Sequence, residues 1–295
     1  MQSPTLKDYL LLHLCIVFWG FTSVLGVLSD LEAPYLVVYR TAVSFISLLV
    51  ILRLRKLPMG FPTIQLGGIA TAGLFTAFHW VTFFASAQLS NVSTCLAGMS
   101  TTALWTSILE PIFFKKKFEW TEVFLAILVS LGLVVIYQSN LKMAFGLVIS
   151  VVSALACSVF TMINRNLVKR QNPIYLTTWE MGFAFLGILA AIPVLGSLNV
   201  LKTQSFPVPR SWDWLNILFL AWVCTVFAYT MAVHLMKKFT AFAMNLTVNL
   251  EPVYGILLGL LIFGQKEKMQ PMFYLGLVLI LSGVFLYPIL QKTKA

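Results

Sequence analysis

Four ionisable side chains stand inside long apolar runs of this sequence: Arg40, Glu110, Glu180 and Glu251. A charge at the centre of a bilayer costs about 2.5–3.5 kcal/mol on insertion scales, so each needs a partner or a wet cavity. Arg40 carries a permanent, planar, fork-shaped cation suited to anchoring an anionic substrate group. Its other use is a structural ion pair or a helix–helix hydrogen bond. Glu180, beside Trp179, can titrate as a proton-coupling carboxylate or pair with Arg40. Glu251 is followed by Pro252, which leaves the carbonyl of Val248 without its helical donor. Freed backbone at membrane depth is tolerated only within protein or around a cavity. Asn245, Thr247 and Asn249 precede it, making Ala243–Pro252 the most polar stretch at mid-membrane depth. We expect it to line a cavity, with a locally satisfied kink as the alternative. Thr247, four residues before Glu251, shares its helical face. Glu110 lies close to Lys115–Lys117 and is expected to snorkel to the interface.

Ser100, Thr101, Thr102 and Thr106 form a second polar patch. Superposing Leu109-Glu110-Pro111 on Leu250-Glu251-Pro252 sets Thr106 against Thr247, as if two related helices shared one central site. His13, His79 and His234 are open to a proton relay or to burial as satisfied core histidines. Trp19, Trp80 and Trp105 are candidates to line a cavity, or simply to pack. Trp120, Trp212 and Trp214 flank apolar runs, as interfacial anchors do. Cys15, Cys95, Cys157 and Cys224 show no CxxC spacing, so neither metal nor disulfide is expected and the thiols read as small apolar groups. With no Walker A, HExxH or GxSxG motif, nothing points to an enzyme or to a bound cofactor.

These residues need elements to hold them. Of 295 residues, 59% are hydrophobic and only 10% charged, with mean hydropathy +0.90, whereas a soluble domain carries about 25% charged residues. The solvent for such a chain is lipid. The net charge of +10 forms no basic stripe with interleaved aromatics, so nucleic acid is not an expected partner. Ten runs approach the length needed to span a bilayer: Tyr9–Leu28, Pro34–Leu52, Ile64–Leu89, Val92–Phe114, Val123–Tyr137, Ala144–Asn164, Pro173–Leu195, Trp214–Leu235, Ala241–Phe263 and Met272–Leu290. Ser90, Asn91 and Ser93 separate the third from the fourth. The first run reads as a retained helix, not a cleaved signal peptide. The one sizeable loop, Gly196 to Asp213, leaves no room for a soluble domain. Apart from Arg40, fourteen Lys and Arg fall on one side of these spans; Lys142, Lys202, Arg210, Lys266 and Lys268 fall on the other. That bias predicts two cytoplasmic termini.

The chain also looks doubled. LEAPYLVVYR (Leu31–Arg40) and RQNPIYLTTWE (Arg170–Glu180) each place a proline at a helix start and a charge about two turns on. KKKFEW (Lys115–Trp120) follows span four as GQKEKM (Gly264–Met269) follows span nine. Five spans per half is an odd number, so the halves, residues 1–140 and 141–295, are expected to insert with opposite orientation.

Phe18-Trp19-Gly20, the Pro34-to-Arg40 entry, Pro111, Pro252, the stretch Gly146–Arg170 and the closing segments SLGLVVIY (Ser130–Tyr137) and LSGVFLY (Leu281–Tyr287) resemble the EamA-type branch of the drug/metabolite transporter superfamily. The resemblance implies an all-α membrane protein of ten helices around a central cavity, with export or exchange of small metabolites such as amino acids or drug-like compounds. The expected partners are a small-molecule substrate and the lipid bilayer, and the expected location is the bacterial inner membrane. Monomer and homodimer both stay open. A passive channel, a non-transporting membrane component and an intramembrane lipid-modifying enzyme are the competing readings.

Overall fold

In the computed structural model, residues 3–63, 65–139, 143–202 and 205–292 are described. Lys142 and Lys294, two of the residues in the charge count, lie outside them. The described residues are helical, with no strand: α1 Leu6–Leu28, α2 Ala33–Leu54, α3 Leu66–Leu89, α4 Val92–Met99, α5 Thr102–Phe114, α6 Trp120–Ser139, α7 Ala144–Leu167, α8 Pro173–Ser197, α9 Ser211–Leu218, a π-helical segment Phe219–Tyr229, α10 Thr230–Leu235, α11 Ala241–Val248, α12 Glu251–Phe263 and α13 Pro271–Lys292. Helices suit this chain because a lipid-facing backbone must satisfy its own hydrogen bonds.

Among the described residues, eight helical stretches are long and apolar enough to cross a membrane, which makes this a multi-pass membrane protein. The expected fifth and tenth spans coincide with α6 and α13, which carry shorter apolar stretches, Trp120–Val129 and Pro271–Gly283. Outward faces carry Ile46, Val50, Phe78, Leu186, Leu257 and Leu261, the composition that lipid requires.

Local chemistry sets the helix starts. Asn91 accepts from Thr94 N at 2.8 Å, Asn172 from Ile174 N at 2.9 Å and Thr240 from Ala243 N at 3.0 Å, the exposed first-turn amides that capping satisfies. Pro34 and Pro173 sit in the first turn of α2 and α8, where a missing N–H costs nothing. Three expected spans are interrupted. The fourth breaks between α4 and α5, the ninth between α11 and α12, and the eighth widens into the π segment.

α3 packs along α7 and α8, α2 along α8, α1 along α12, and α6 along α13. Small residues permit the closest crossings. A Cβ on Gly73 of α3 would fall 2.5 Å from the carbonyl oxygen of Glu180, so only glycine lets α8 approach this closely.

Candidate functional site

A cavity opens between α1, α2, α3, α7, the π segment, α11 and the start of α12. It is lined by Trp19, Thr22, Arg40, His79, Trp80, Phe83, Met99, Cys157, Phe160, Thr161, Tyr229, Asn245, Val248 and Glu251, with Ala232, Met236 and Met244. Its wall is mainly aromatic and apolar, with two charges of opposite sign.

Arg40 is 2% exposed. Its Nε donates to Thr225 Oγ1 at 2.9 Å, and its guanidinium carbon lies 3.7 Å from the centre of the Trp80 ring, a cation–π arrangement. Nε is thereby fixed, while among the described residues the two Nη groups have no hydrogen-bond partner. The π segment makes this possible. Its wider winding lets Thr225 Oγ1 bond back to the Leu220 carbonyl, five residues earlier, at 2.8 Å. It also presents the Cys224 carbonyl to Trp19 Nε1 at 3.1 Å. Such bulges often mark functional positions.

Glu251 begins α12 and is 6% exposed. Among the described residues no group lies within hydrogen-bond distance of its carboxylate, and it forms no ion pair with Arg40. Pro252 occupies the first turn of α12, so the span is a true break with Asn249 and Leu250 between two helices. Asn245 belongs to a polar web beside it: its Nδ2 donates to Thr106 Oγ1 at 2.7 Å, and its Oδ1 accepts from Thr161 Oγ1 at 3.3 Å. Thr106 in turn reaches Ser158 Oγ at 3.1 Å. His79 Nδ1 meets Ser153 Oγ at 2.8 Å while the ring lines the cavity.

Glu180 is fully buried behind this wall. Thr76 Oγ1 donates to its Oε1 at 2.8 Å, Asn164 Nδ2 donates to Oε1 and Oε2 at 3.0 and 3.1 Å, and the Tyr229 hydroxyl donates to Oε1. It does not meet Arg40.

Glu110 departs from the snorkelling expectation. It is 5% exposed, and its Oε1 pairs with Arg165 Nη1 at 2.6 Å, with Lys116 at 3.3 Å on the rim. Its Oε2 accepts from Phe242 N at 2.8 Å, at the positive end of α11. The charge was legible but its partner, a helix away on α7, was not.

The Leu-Glu-Pro superposition is also corrected. Each half contains an 8-residue helix followed by a 13-residue helix, α4 with α5 and α11 with α12. That register sets Thr102 against Glu251, the first residues of α5 and α12, and Glu110 against Gly259. Pro111 lies within α5 whereas Pro252 opens α12, so the two triplets occupy different places. In that register Thr106 is set against Gly255, and its polar contact is with Asn245.

Of the residues singled out from sequence as cavity candidates, Arg40, Glu251, Asn245, Trp19, Trp80 and His79 line the cavity. Thr247 does not; its hydroxyl bonds back to the Ala243 carbonyl at 2.7 Å, because the break after Val248 removes the face it was expected to share with Glu251. Thr102 is sealed between α5 and α7, its carbonyl accepting from Ser158 Oγ at 2.8 Å. Trp105 packs against the core. Thr225, Tyr229, Thr76 and Asn164 were missed. Single hydroxyls and amides on apolar helices carry no periodic signal, and only the partner charges pointed to them. Among the described residues, no group of three or more His, Cys, Asp and Glu is placed to hold a metal.

The EamA-like transporter family model matches residues 6–138 and 144–287. An uncharacterized transporter of Archaeoglobus fulgidus is 24% identical over 294 residues, 95% of this chain and 98% of that protein. A solved crystal structure shares the fold with a TM-score of 0.69 at 14% identity, covering 98% of this chain and 99% of its own.

Proposed function

The chain belongs to the EamA-like transporter family, and from that premise we propose that it is a secondary transporter that carries a small zwitterionic metabolite, such as an amino acid, by alternating access through the cavity between Arg40 and Glu251. The observation that carries this reading is the pair itself: an arginine and a glutamate on one cavity wall, each buried, with no hydrogen bond or ion pair between them among the described residues. Buried charges are retained at a cost. A ligand bearing both a carboxylate and an ammonium group would supply the missing partner to each. The Arg40 fork suits a carboxylate, and Trp19, Trp80, Phe83 and Phe160 suit an apolar or aromatic body.

The architecture proposed for this activity is two inverted five-helix repeats, residues 1–140 and 141–295, making ten spans with both termini cytoplasmic in a bacterial inner membrane. The matched helix-length patterns of α4–α5 and α11–α12 support the repeat, and the Lys/Arg bias supports the orientation. Exporter or exchanger is the direction this reading favours. The test is counterflow in proteoliposomes with L-phenylalanine. Saturable uptake accelerated by internal substrate supports a carrier, uptake without acceleration indicates a channel, and no flux for any amino acid rejects the substrate class.

A further inference from the structure

Glu180 does not line the cavity and is not used by substrate binding as proposed above. We propose that Glu180 is the binding site for a coupling proton, loaded through Tyr229; the coupling part rests on the transporter reading, the proton site does not.

Three observations carry it. First, Glu180 is a fully buried carboxylate held entirely by neutral donors, Thr76, Asn164 and Tyr229; among the described residues no cation pairs with it. The titratable groups on neighbouring helices are engaged elsewhere or exposed. Arg40 on α2 is on Thr225, Tyr39 is on the Pro207 carbonyl, His79 on α3 is on Ser153, Arg165 on α7 is on Glu110, and His234 on α10 is exposed. A carboxylate so placed can exchange charge only by taking or giving a proton.

Second, Tyr229 belongs to both compartments. It lines the cavity and its hydroxyl donates to Glu180 Oε1. Loading is then a concerted relay: Tyr229 takes a proton from a hydronium ion in the cavity as it passes its own hydroxyl proton to Oε1, so no tyrosinate forms. The net change is carboxylate plus hydronium giving carboxylic acid plus water, with tyrosine unchanged.

Third, Asn164 has a buried Oδ1 with no hydrogen-bond partner, although its Nδ2 contacts Glu180 and the Tyr229 hydroxyl, the latter at 2.9 Å. An orphaned buried acceptor is costly. Turning the amide over would offer that oxygen to the additional hydrogen of the protonated cluster. The same four side chains thus serve both charge states. The proton site communicates with the cavity through contact, because Tyr229 lies edge-on to Trp80 at 5.9 Å between ring centres, and Trp80 carries Arg40.

The experiment is an infrared pH titration of the purified protein in lipid nanodiscs, following the protonated-carboxyl stretch. The expected result is a band that grows as pH falls, is lost in Glu180→Gln, persists in Glu251→Gln, and has a displaced midpoint in Tyr229→Phe and Asn164→Leu. A Glu180→Gln spectrum matching the wild type overturns the site. Should Glu180→Gln not fold, unmoved midpoints in both other variants overturn it instead. For coupling, vesicles holding a pH-sensitive dye receive an L-phenylalanine gradient. Phenylalanine flux with no internal pH change in the wild type overturns proton coupling. Absence of phenylalanine flux counts against the substrate reading alone, and the infrared band still decides the proton site.

Discussion

Arg40 and Glu180 are each the eighth residue of their helices, α2 and α8, yet they do not meet: Arg40 is held by Thr225, from the second half of the chain, and Glu180 by Thr76, from the first. Equivalent positions in the two halves thus hold opposite charges, each received by a hydroxyl from the other half. One charge faces the cavity and the other is sealed behind Tyr229. That asymmetry is the basis for assigning ligand anchoring to one position and proton binding to the other in the proposals above.

The first prediction follows from that separation. Exchanging the two charges, Arg40→Glu with Glu180→Arg, should give no recovery over the single substitutions. The swapped arginine would be surrounded at position 180 by neutral side chains, and the swapped glutamate would face the Trp80 ring. Each buried charge then loses its compensation. The measurement is a thermal unfolding series on the four proteins in detergent. Recovery of stability in the double variant would show that the two side chains pair.

Glu110 and Arg165 should behave oppositely, because they do pair. Both are almost fully buried, with side chains 6% and 4% exposed. Removing Glu110 takes the carboxylate from buried Arg165, at a cost of up to about 3–5 kcal/mol; removing Arg165 should cost less, because Glu110 keeps Lys116 and the Phe242 amide. The double variant Glu110→Gln, Arg165→Met should be more stable than either single variant. Lys116, 48% exposed, should contribute at most about 1 kcal/mol. A double-mutant cycle of unfolding free energies with a coupling term near zero would contradict the pair.

How much of this was legible follows from where each constraint is local. Helix positions were, since lipid demands about 20 apolar residues in succession, and Ser90–Asn91 and Pro252 mark breaks by side-chain chemistry alone. The repeat register was misread because a shared Leu-Glu-Pro triplet outweighs helix length in a sequence comparison, while in space helix length decides. The π segment Phe219–Tyr229 was invisible. It contains neither glycine nor proline, and the groups bonded to it, Trp19 and Arg40, come from distant parts of the chain. Glu180 was legible as an anomaly, but its partners come from α3, α7 and the π segment, and no sequence period links them.

Two glycines at different points of α3 should respond with opposite sign. Gly73→Ala puts a methyl group 2.5 Å from the Glu180 carbonyl and 3.1 Å from Ala184 N, so backbone must move. At Gly67 a Cβ meets nothing within 4 Å, and alanine should stabilise the helix by about 0.5–1 kcal/mol. Melting temperatures of the two variants check this. Gly73→Ala should also displace the Glu180 carboxyl band, since it pushes against the turn that carries Glu180, whereas Gly67→Ala should leave it in place.

The last prediction concerns Glu251, the cavity carboxylate with no hydrogen-bond partner among the described residues. Glu251→Gln keeps the size and shape of the side chain and orphans no donor, because among the described residues none is bonded to it. Pro252 and the break between α11 and α12 are untouched. Thermal stability should therefore change little, since no hydrogen bond or ion pair to the carboxylate is broken. Ligand binding should respond differently. A charge-assisted hydrogen bond to the ligand's ammonium group is worth about 1.5–3 kcal/mol, so affinity for L-phenylalanine should fall roughly 10- to 100-fold. Affinity for phenylpropionate, which has the carboxylate and ring but no ammonium group, should not fall. Arg40→Gln should show the complementary pattern, losing affinity for both compounds, because both carry the carboxylate. Calorimetric titration of the two ligands into the three proteins gives the comparison. Equal losses for both ligands in Glu251→Gln would mean that Glu251 shapes the cavity without touching the ammonium group. Unchanged affinity for both would place the ligand away from α12 altogether.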